Sequence, residues 1–284
     1  MRIRATVAVA TGALALSALA VPAAQAAPAG DRPGVPSYGS ATHQGSAAAP
    51  KGNARAAAEE PVISKAVVNG GKPIVVGTTA AKKVKVSITA SHPSGIADAD
   101  AIIWTGSSVD DPDSFGFGAV DAFNCVAASA TTSTCTQNIE IDPLWLINSD
   151  AKTWNVGAWV LSNDSYSKQS DKFAKTSLQR LSKVTVNAAP EPVKKGKTIT
   201  ATGKLSRANW ETGTYKGYAT QSVKLQFRKK TSSTYSTVKT VKTSTTGALK
   251  TTTKATVDGF WRWNFGGTTT TPAVIAAGDF VDVK

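Results

Sequence analysis

The sequence predicts an all-β protein built as two β-sandwich domains in tandem. Three observations predict it. Short segments alternate polar and apolar residues with a period of two, as half-buried strands do. Turn signals rich in Gly, Asn and Pro break these segments at short intervals. No convincing amphipathic helix interrupts the pattern after residue 26.

Residues 1–26 read as an export signal: Arg2 and Arg4 open it, an uncharged Ala/Val/Leu run comes next, and Ala24-Gln25-Ala26 supplies a small-x-small cleavage site. The remainder, residues 27–284, suits two ordinary domains. No later stretch is long and apolar enough to span a bilayer. The C-terminus, residues 279–284, reads as a strand end without a sorting motif. The expectation is free secretion, with loose retention at the cell wall as the alternative. Residues 27–60 are Ala, Gly, Pro and Ser with one aromatic, Tyr38. That composition buries too little apolar surface to offset chain entropy, so a disordered linker is expected.

The first domain is placed at residues 61–182. Residues 62–68 are β-rich and Asn69-Gly70-Gly71 marks a turn. Residues 74–76 form the next short run. In residues 83–90, Val84, Val86 and Ile88 face one way and Lys83, Lys85, Ser87 and Thr89 the other. Residues 91–95 turn the chain. Residues 101–104 and 136–141 read as short strands. Residues 154–161 read as a buried one, with Val156, Ala158 and Val160 on one face, and residues 172–181 close the domain with Phe173 inward. The second domain, residues 183–284, repeats the pattern with strands near 183–186, 197–205, 222–228, 236–243, 249–257, 260–265 and 279–283.

Cys125 and Cys135 are the two cysteines, and in an oxidising compartment they should pair. The loop is short, so closure stabilises by about 3 kcal/mol. Two thiols without a nearby His make a poor zinc site. Charge is uneven. Residues 60–183 carry 11 Lys+Arg against 12 Asp+Glu, whereas residues 184–284 carry 16 against 5. Nearly all of the net +13 therefore belongs to the second domain.

The second domain also carries a recognisable order of pieces: Val193-Lys194-Lys195-Gly196-Lys197-Thr198-Ile199-Thr200, Gly203-Lys204-Leu205, residues 221–228, Thr246-Gly247, Gly259-Phe260-Trp261-Arg262-Trp263 and Val281-Asp282-Val283. This resembles the bacterial immunoglobulin-like modules of secreted actinobacterial proteins. Asn69-Gly70-Gly71-Lys72-Pro73 and Ser94-Gly95-Ile96 resemble the same class more weakly. The resemblance implies two tandem immunoglobulin-like sandwiches of uncharacterised role, sometimes labelled calcium-binding. It specifies fold well and function poorly, because this sandwich hosts many unrelated activities, and it brings no catalytic residues with it.

The sequence argues against an enzyme. His43 lies in the linker and His92 in a turn, so neither is visibly held beside a nucleophile. A hydrolase would instead need two carboxylates facing across a cleft, such as Asp110 and Asp142.

Three sets of residues could bind ligands. Asp98, Asp100, Asp110, Asp111 and Asp113 offer oxygen ligands on loops, as a weak extracellular Ca²⁺ site requires. They match no EF-hand, and Asp is also an ordinary turn residue. Lys224, Arg228, Lys230, Lys239, Lys242, Lys250 and Lys254 would form a basic outer face if their strands share one sheet. Such a face attracts anionic polymers such as wall teichoic acids or extracellular DNA, whereas the bland alternative is a solubilising surface. No motif supports sequence-specific nucleic-acid recognition. Trp210, Tyr215 and Tyr218 cluster in a loop and could stack on a ligand. Trp261, Trp263 and Phe265 alternate and should pack inward. The reading is a non-catalytic secreted binding or structural module at the cell envelope. The alternative is a calcium-binding extracellular protein.

Overall fold

The computed structural model describes residues 32–38 and 59–284. The export signal, His43 and most of the expected linker lie outside the described residues.

Among the described residues, nine strands make the first sandwich: β1 (Val62–Val68), β2 (Ile74–Val76), β3 (Lys82–Ser91), β4 (Ile96–Thr105), β5 (Phe115–Phe117), β6 (Asn124–Ala127), β7 (Thr132–Ile141), β8 (Thr153–Ser162) and β9 (Ser167–Arg180). One sheet runs β1-β3-β7-β6 and the other β2-β9-β8-β4-β5. All pairs are antiparallel except β2 with β9. The first order is the A-B-E-D sheet of an immunoglobulin-type sandwich. The run β9-β8-β4-β5 is its G-F-C-C′ sheet. Alternation builds the core. Val84, Val86 and Ile88 of β3 meet Ile139 and Ile141 of β7, and Ala101, Ile103, Val156 and Val160 face them from the other sheet. Trp154 fills one end, stacked on Phe117 at 5.9 Å and edge-on to Phe115 at 5.8 Å. The disulfide joins Cys125 of β6 to Cys135 directly opposite on β7.

The second sandwich contains β10 (Ser182–Val184), β11 (Asn187–Ala189), β12 (Thr198–Asn209), β13 (Thr214–Gly217), β14 (Ser222–Lys229), β15 (Ser236–Lys242), β16 (Ala248–Lys254), β17 (Gly259–Phe265), β18 (Val274–Ile275) and β19 (Asp279–Val281). β12 pairs with β11 and β16 along one half and with β10 and β13 along the other. The opposing sheet runs β15-β14-β17, with β18 and β19 both on the far side of β17. These are the A-B-E and C′-C-F-G sheets again. Trp261, Trp263 and Phe265 point inward among Ile199, Leu205, Val223, Leu225 and Leu249. Gly203 makes room for them: a Cβ there would lie 2.7 Å from the Trp263 ring.

Two expectations need correcting. Residues 32–38, placed by composition in a disordered linker, lie on the first sandwich. Arg32 pairs with Asp150 at 2.8 Å and Tyr38 bonds Asp171 at 3.0 Å. Composition averaged over the linker hides these two anchors. The aromatic loop, in turn, is not a free stacking platform. Trp210 is 1% exposed and belongs to the core of the first sandwich, although the second carries it. Its Nε1 donates to the Gly77 carbonyl at 2.8 Å. Around this plug, Arg180 Nε donates to the Ala208 carbonyl and Gln179 Nε2 to the Thr269 carbonyl, at 2.6 and 3.1 Å. Burial, with Arg207 nearby, brings the Arg180 guanidinium down to about 10. Tyr215 and Tyr218 are half-buried, each under a cation: Lys183 at 3.7 Å and Arg207 at 3.9 Å.

Candidate functional site

The strongest candidate is the outer face of the β15-β14-β17-β19 sheet. On β14, Val223 and Leu225 point inward, which turns Ser222, Lys224 and Gln226 outward, with Arg228 beyond them. On β17, the inward Trp261, Trp263 and Phe265 turn Phe260, Arg262 and Asn264 outward. Register then sets Lys224 opposite Asn264, Gln226 opposite Arg262, Arg228 opposite Phe260, and Phe260 opposite Phe280.

The result is a ladder of cations on rings. The Arg262 guanidinium lies 3.6 Å from the Tyr235 ring centroid, and Arg228 lies 3.9 Å from that of Phe260. Lys230 lies 5.4 Å from Phe280. Arg262 Nε donates to Gln226 Oε1 at 2.9 Å, and Arg228 Nη1 to the Ser232 carbonyl at 2.8 Å. Each guanidinium is thus oriented while keeping N–H donors unused among the described residues. Beside the ladder lies a depression of about 520 Å³, lined by Lys224, Lys242, Gln221, Ser222, Asn264 and neighbouring glycines. Lys242 stands opposite Ser222 and Thr240 opposite Lys224, so the two lysines are diagonal neighbours. Among the described residues, none of these cations enters an ion pair with a carboxylate. The arrangement offers point charges, planar forks and amide donors to an anion, with ring faces behind them.

The predicted basic set divides. Lys224, Arg228, Lys230 and Lys242 come together here. Lys239 stands opposite the inward-facing Leu225, at the sheet edge rather than on this face. Lys250 and Lys254 lie in the other sheet, because β16 pairs with β12 and not with β15. Sequence reasoning missed Arg262, Tyr235, Phe260 and Phe280. The alternation through residues 260–265 already carried the signal for Arg262 and Phe260.

The predicted calcium ligands do not converge. Asp98 and Asp100 lie on β4, opposite Leu161 and Trp159, and each carboxylate accepts the next backbone N–H. Asp110, Asp111 and Asp113 lie in the β4–β5 loop. Asp111 accepts from the Ser107 hydroxyl and the Asp113 N–H, bonds that hold its carboxyl below the usual range. Among the described residues, no group of three or more His, Cys, Asp or Glu side chains is placed to hold a metal ion. His92 has Nδ1 2.8 Å from Ser94 Oγ, and Ser94 Oγ donates to Asp164 at 2.8 Å. Its Nε2 is committed to the Glu59 carbonyl at 2.7 Å, and the Asp164 carboxylate, 3.5 Å from Nδ1, takes its hydrogen bonds from the Ser94 and Ser162 hydroxyls. A catalytic triad runs the other way, from carboxylate to ring to hydroxyl. These bonds fasten the β3–β4 turn to the β8–β9 turn.

Fold and site together define a tandem immunoglobulin-like sandwich with one open cationic face. Residues 75–160 match a family described as a Family of unknown function, DUF5707. No curated protein matches the sequence. Among solved structures, the D00-D0 domain of Intimin is 16% identical, covering 76% of this chain and 99% of its own, with a TM-score of 0.26. A putative membrane-anchored protein from Corynebacterium diphtheriae is 11% identical, covering 77% of this chain and 53% of its own, at 0.28. Dimeric latent PorU from Porphyromonas gingivalis is 13% identical over 79% of this chain, at 0.27. This chain spans only 20% of PorU. The fold stands on its own strand order and register, not on likenesses this distant.

Proposed function

We propose that the protein is a non-catalytic binding module that engages phosphate-bearing anionic polymers through the outer face of β14, β15 and β17. The observation that supports this reading is the set Lys224, Lys242, Arg228 and Arg262 on one face without carboxylate partners among the described residues. Like charges held together repel, and a polyanion relieves that repulsion while releasing its own counterions. With residues 1–26 read as an export signal, the ligands in reach are phosphodiester polymers of the cell wall and extracellular DNA.

The test is binding of the full chain to purified cell walls and to polyphosphate across a salt series. Log affinity should fall linearly with log salt. Arg228→Ala with Arg262→Ala should weaken binding at least about tenfold and lower the salt slope by about 1 per arginine. Lys250→Ala with Lys254→Ala, on the opposite sheet, should change far less. Binding that ignores salt, or equal losses in the two double variants, overturns the reading.

A further inference from the structure

The geometry points to a peptide-recognition track on the outer face of the β5-β4-β8-β9 sheet, with residues 32–38 of this chain as its resident ligand. This site is separate from the cationic face and does not depend on it.

The track is built for a chain to lie in it. β4 is buried on both sides: Ala101 and Ile103 face the sandwich core, while Ile102 and Trp104 face outward and are still only 1% and 0% exposed. Three glycines beneath the segment keep the floor flat. A Cβ at Gly157 would collide with Tyr38 Oη and one at Gly118 would lie 3.1 Å from Pro36; one at Gly116 would lie 3.3 Å from Val35, though closer still to Ile103 and Trp104. A glycine at a strand position, as Gly157 is in β8, marks a site where a ligand group approaches the sheet closely.

Both ends of the track carry a matching acid. Asp150 takes Arg32, whose guanidinium also lies 3.6 Å from the Phe115 ring centroid. Asp171 takes the Tyr38 hydroxyl, and its own carbonyl accepts Trp104 Nε1 at 2.6 Å. These contacts set the ligand class: a peptide with an arginine at one end, a tyrosine six residues on, and small apolar or proline residues between. Pro33 and Pro36 reduce the ordering cost of such a segment.

Two observations make the resident segment exchangeable. It is joined to the sandwich by residues 39–58, a 20-residue stretch long enough for the segment to leave the track without breaking the chain. The fit at its arginine end is also loose. A cavity of about 440 Å³ opens there between Arg32, Ser114, Asp150 and Lys152, and the buried Arg32 Nε and Ser114 Oγ have no hydrogen-bond partner among the described residues. A peptide of the same class supplied from outside therefore competes for the track.

The experiment uses the full chain and a fluorescein-labelled synthetic peptide with the sequence of residues 30–40. A connection of this length holds the resident segment at roughly millimolar effective concentration. If the free peptide binds at about 10 μM, the resident copy weakens its apparent affinity about 100-fold. Arg32→Ala with Tyr38→Ala should therefore bind the peptide about 100-fold more tightly than the unaltered chain, and a scrambled peptide should bind neither. Equal affinity for both chains, or binding to neither, overturns the proposal. A second chain keeps residues 32–38 intact and carries a protease site within residues 39–58. After cleavage the N-terminal fragment should stay with the sandwich and leave when unlabelled peptide is added in excess. A fragment that stays despite excess peptide, or that leaves without it and does not rebind, also overturns the proposal.

Discussion

The two sandwiches present the same sheet to the outside and treat it in opposite ways. In the first, the outer face around Ile102, Trp104 and Gly157 is apolar, edged by Asp100 and Asp171 and roofed by residues 32–38. In the second, the matching face of β14, β17 and β19 is cationic and aromatic, and no other described segment covers it. The topology is shared, so the difference lies in side-chain periodicity alone. Residues 101–104 form an unbroken apolar run, which a strand tolerates only when both sides are covered. Residues 260–265 alternate, which leaves one side for the core and one for solvent. Covered and open faces of one fold can therefore be told apart by whether the run alternates.

The largest expected effect tests whether the two halves are separate units at all. Trp210→Ala removes from the first core an indole that the second half supplies, at a cost of about 3–5 kcal/mol. Calorimetry should show a single transition splitting into two, with the first sandwich melting lower. A single transition merely shifted down would mean that the remaining contacts at the junction still couple the halves.

A smaller effect sharpens the contrast between roofed and open faces. Burial holds the Asp150 carboxyl above the usual carboxylate range, against the pull of the Ile147 N–H and of Arg32. Burial likewise lowers the Arg32 guanidinium despite Asp150. Both partners thus report that desolvation outweighs their attraction, so the pair positions the segment more than it stabilises it. A raised carboxyl favours the protonated fold. Its contribution is complete below about pH 4, the unfolded value, and is lost as pH rises through the folded value. Arg32→Ala leaves that carboxylate with its nearest cation gone. It should cost about 2–3 kcal/mol at neutral pH, less than the ~3–5 of a fully enclosed pair. Denaturant midpoints should show this deficit shrinking on acidification towards pH 4. A deficit independent of pH would assign it to lost packing instead.

The smallest effect is spectroscopic. Burial, then the bond to Asp171 and its charge, push the Tyr38 phenol above the ordinary range. For Tyr218, burial pushes up, but the Thr268 bond and the Arg207 charge outweigh it and hold the phenol low. In an ultraviolet phenolate titration, Tyr218→Phe should remove an early step and Tyr38→Phe the last. The raised Tyr38 value means that its contribution is complete below about pH 10 and fades above it, so strong alkali should release residues 32–38.

Much of the fold was legible because strand periodicity is local. Val84, Val86 and Ile88 alternate in the sequence and face the core in the structure, as do Val156, Ala158 and Val160. What was not legible depends on pairing across distance. Lys250 and Lys254 follow the same period as Lys224, and nothing in that period says that β16 joins β12. Trp210 sits in a polar, glycine-rich loop, and only the end of the neighbouring sandwich explains its burial. The predicted calcium ligands lie apart for a related reason. Asp98 and Asp100 are close to Asp110 in sequence, but the first two lie along a strand and the third lies beyond its end. Arg262 was within reach: the alternation that assigns Trp261 and Trp263 to the core assigns Arg262 to the surface.

The plug at Trp210 also imposes an order on biosynthesis. A chain delivered from the N-terminus, by a ribosome or by an export channel, presents its upstream domain first. Here the upstream half still lacks its cork when residue 180, the end of β9, has been delivered. It can finish only after β12 has emerged, so the nascent protein passes through a stage with one greasy end unsealed.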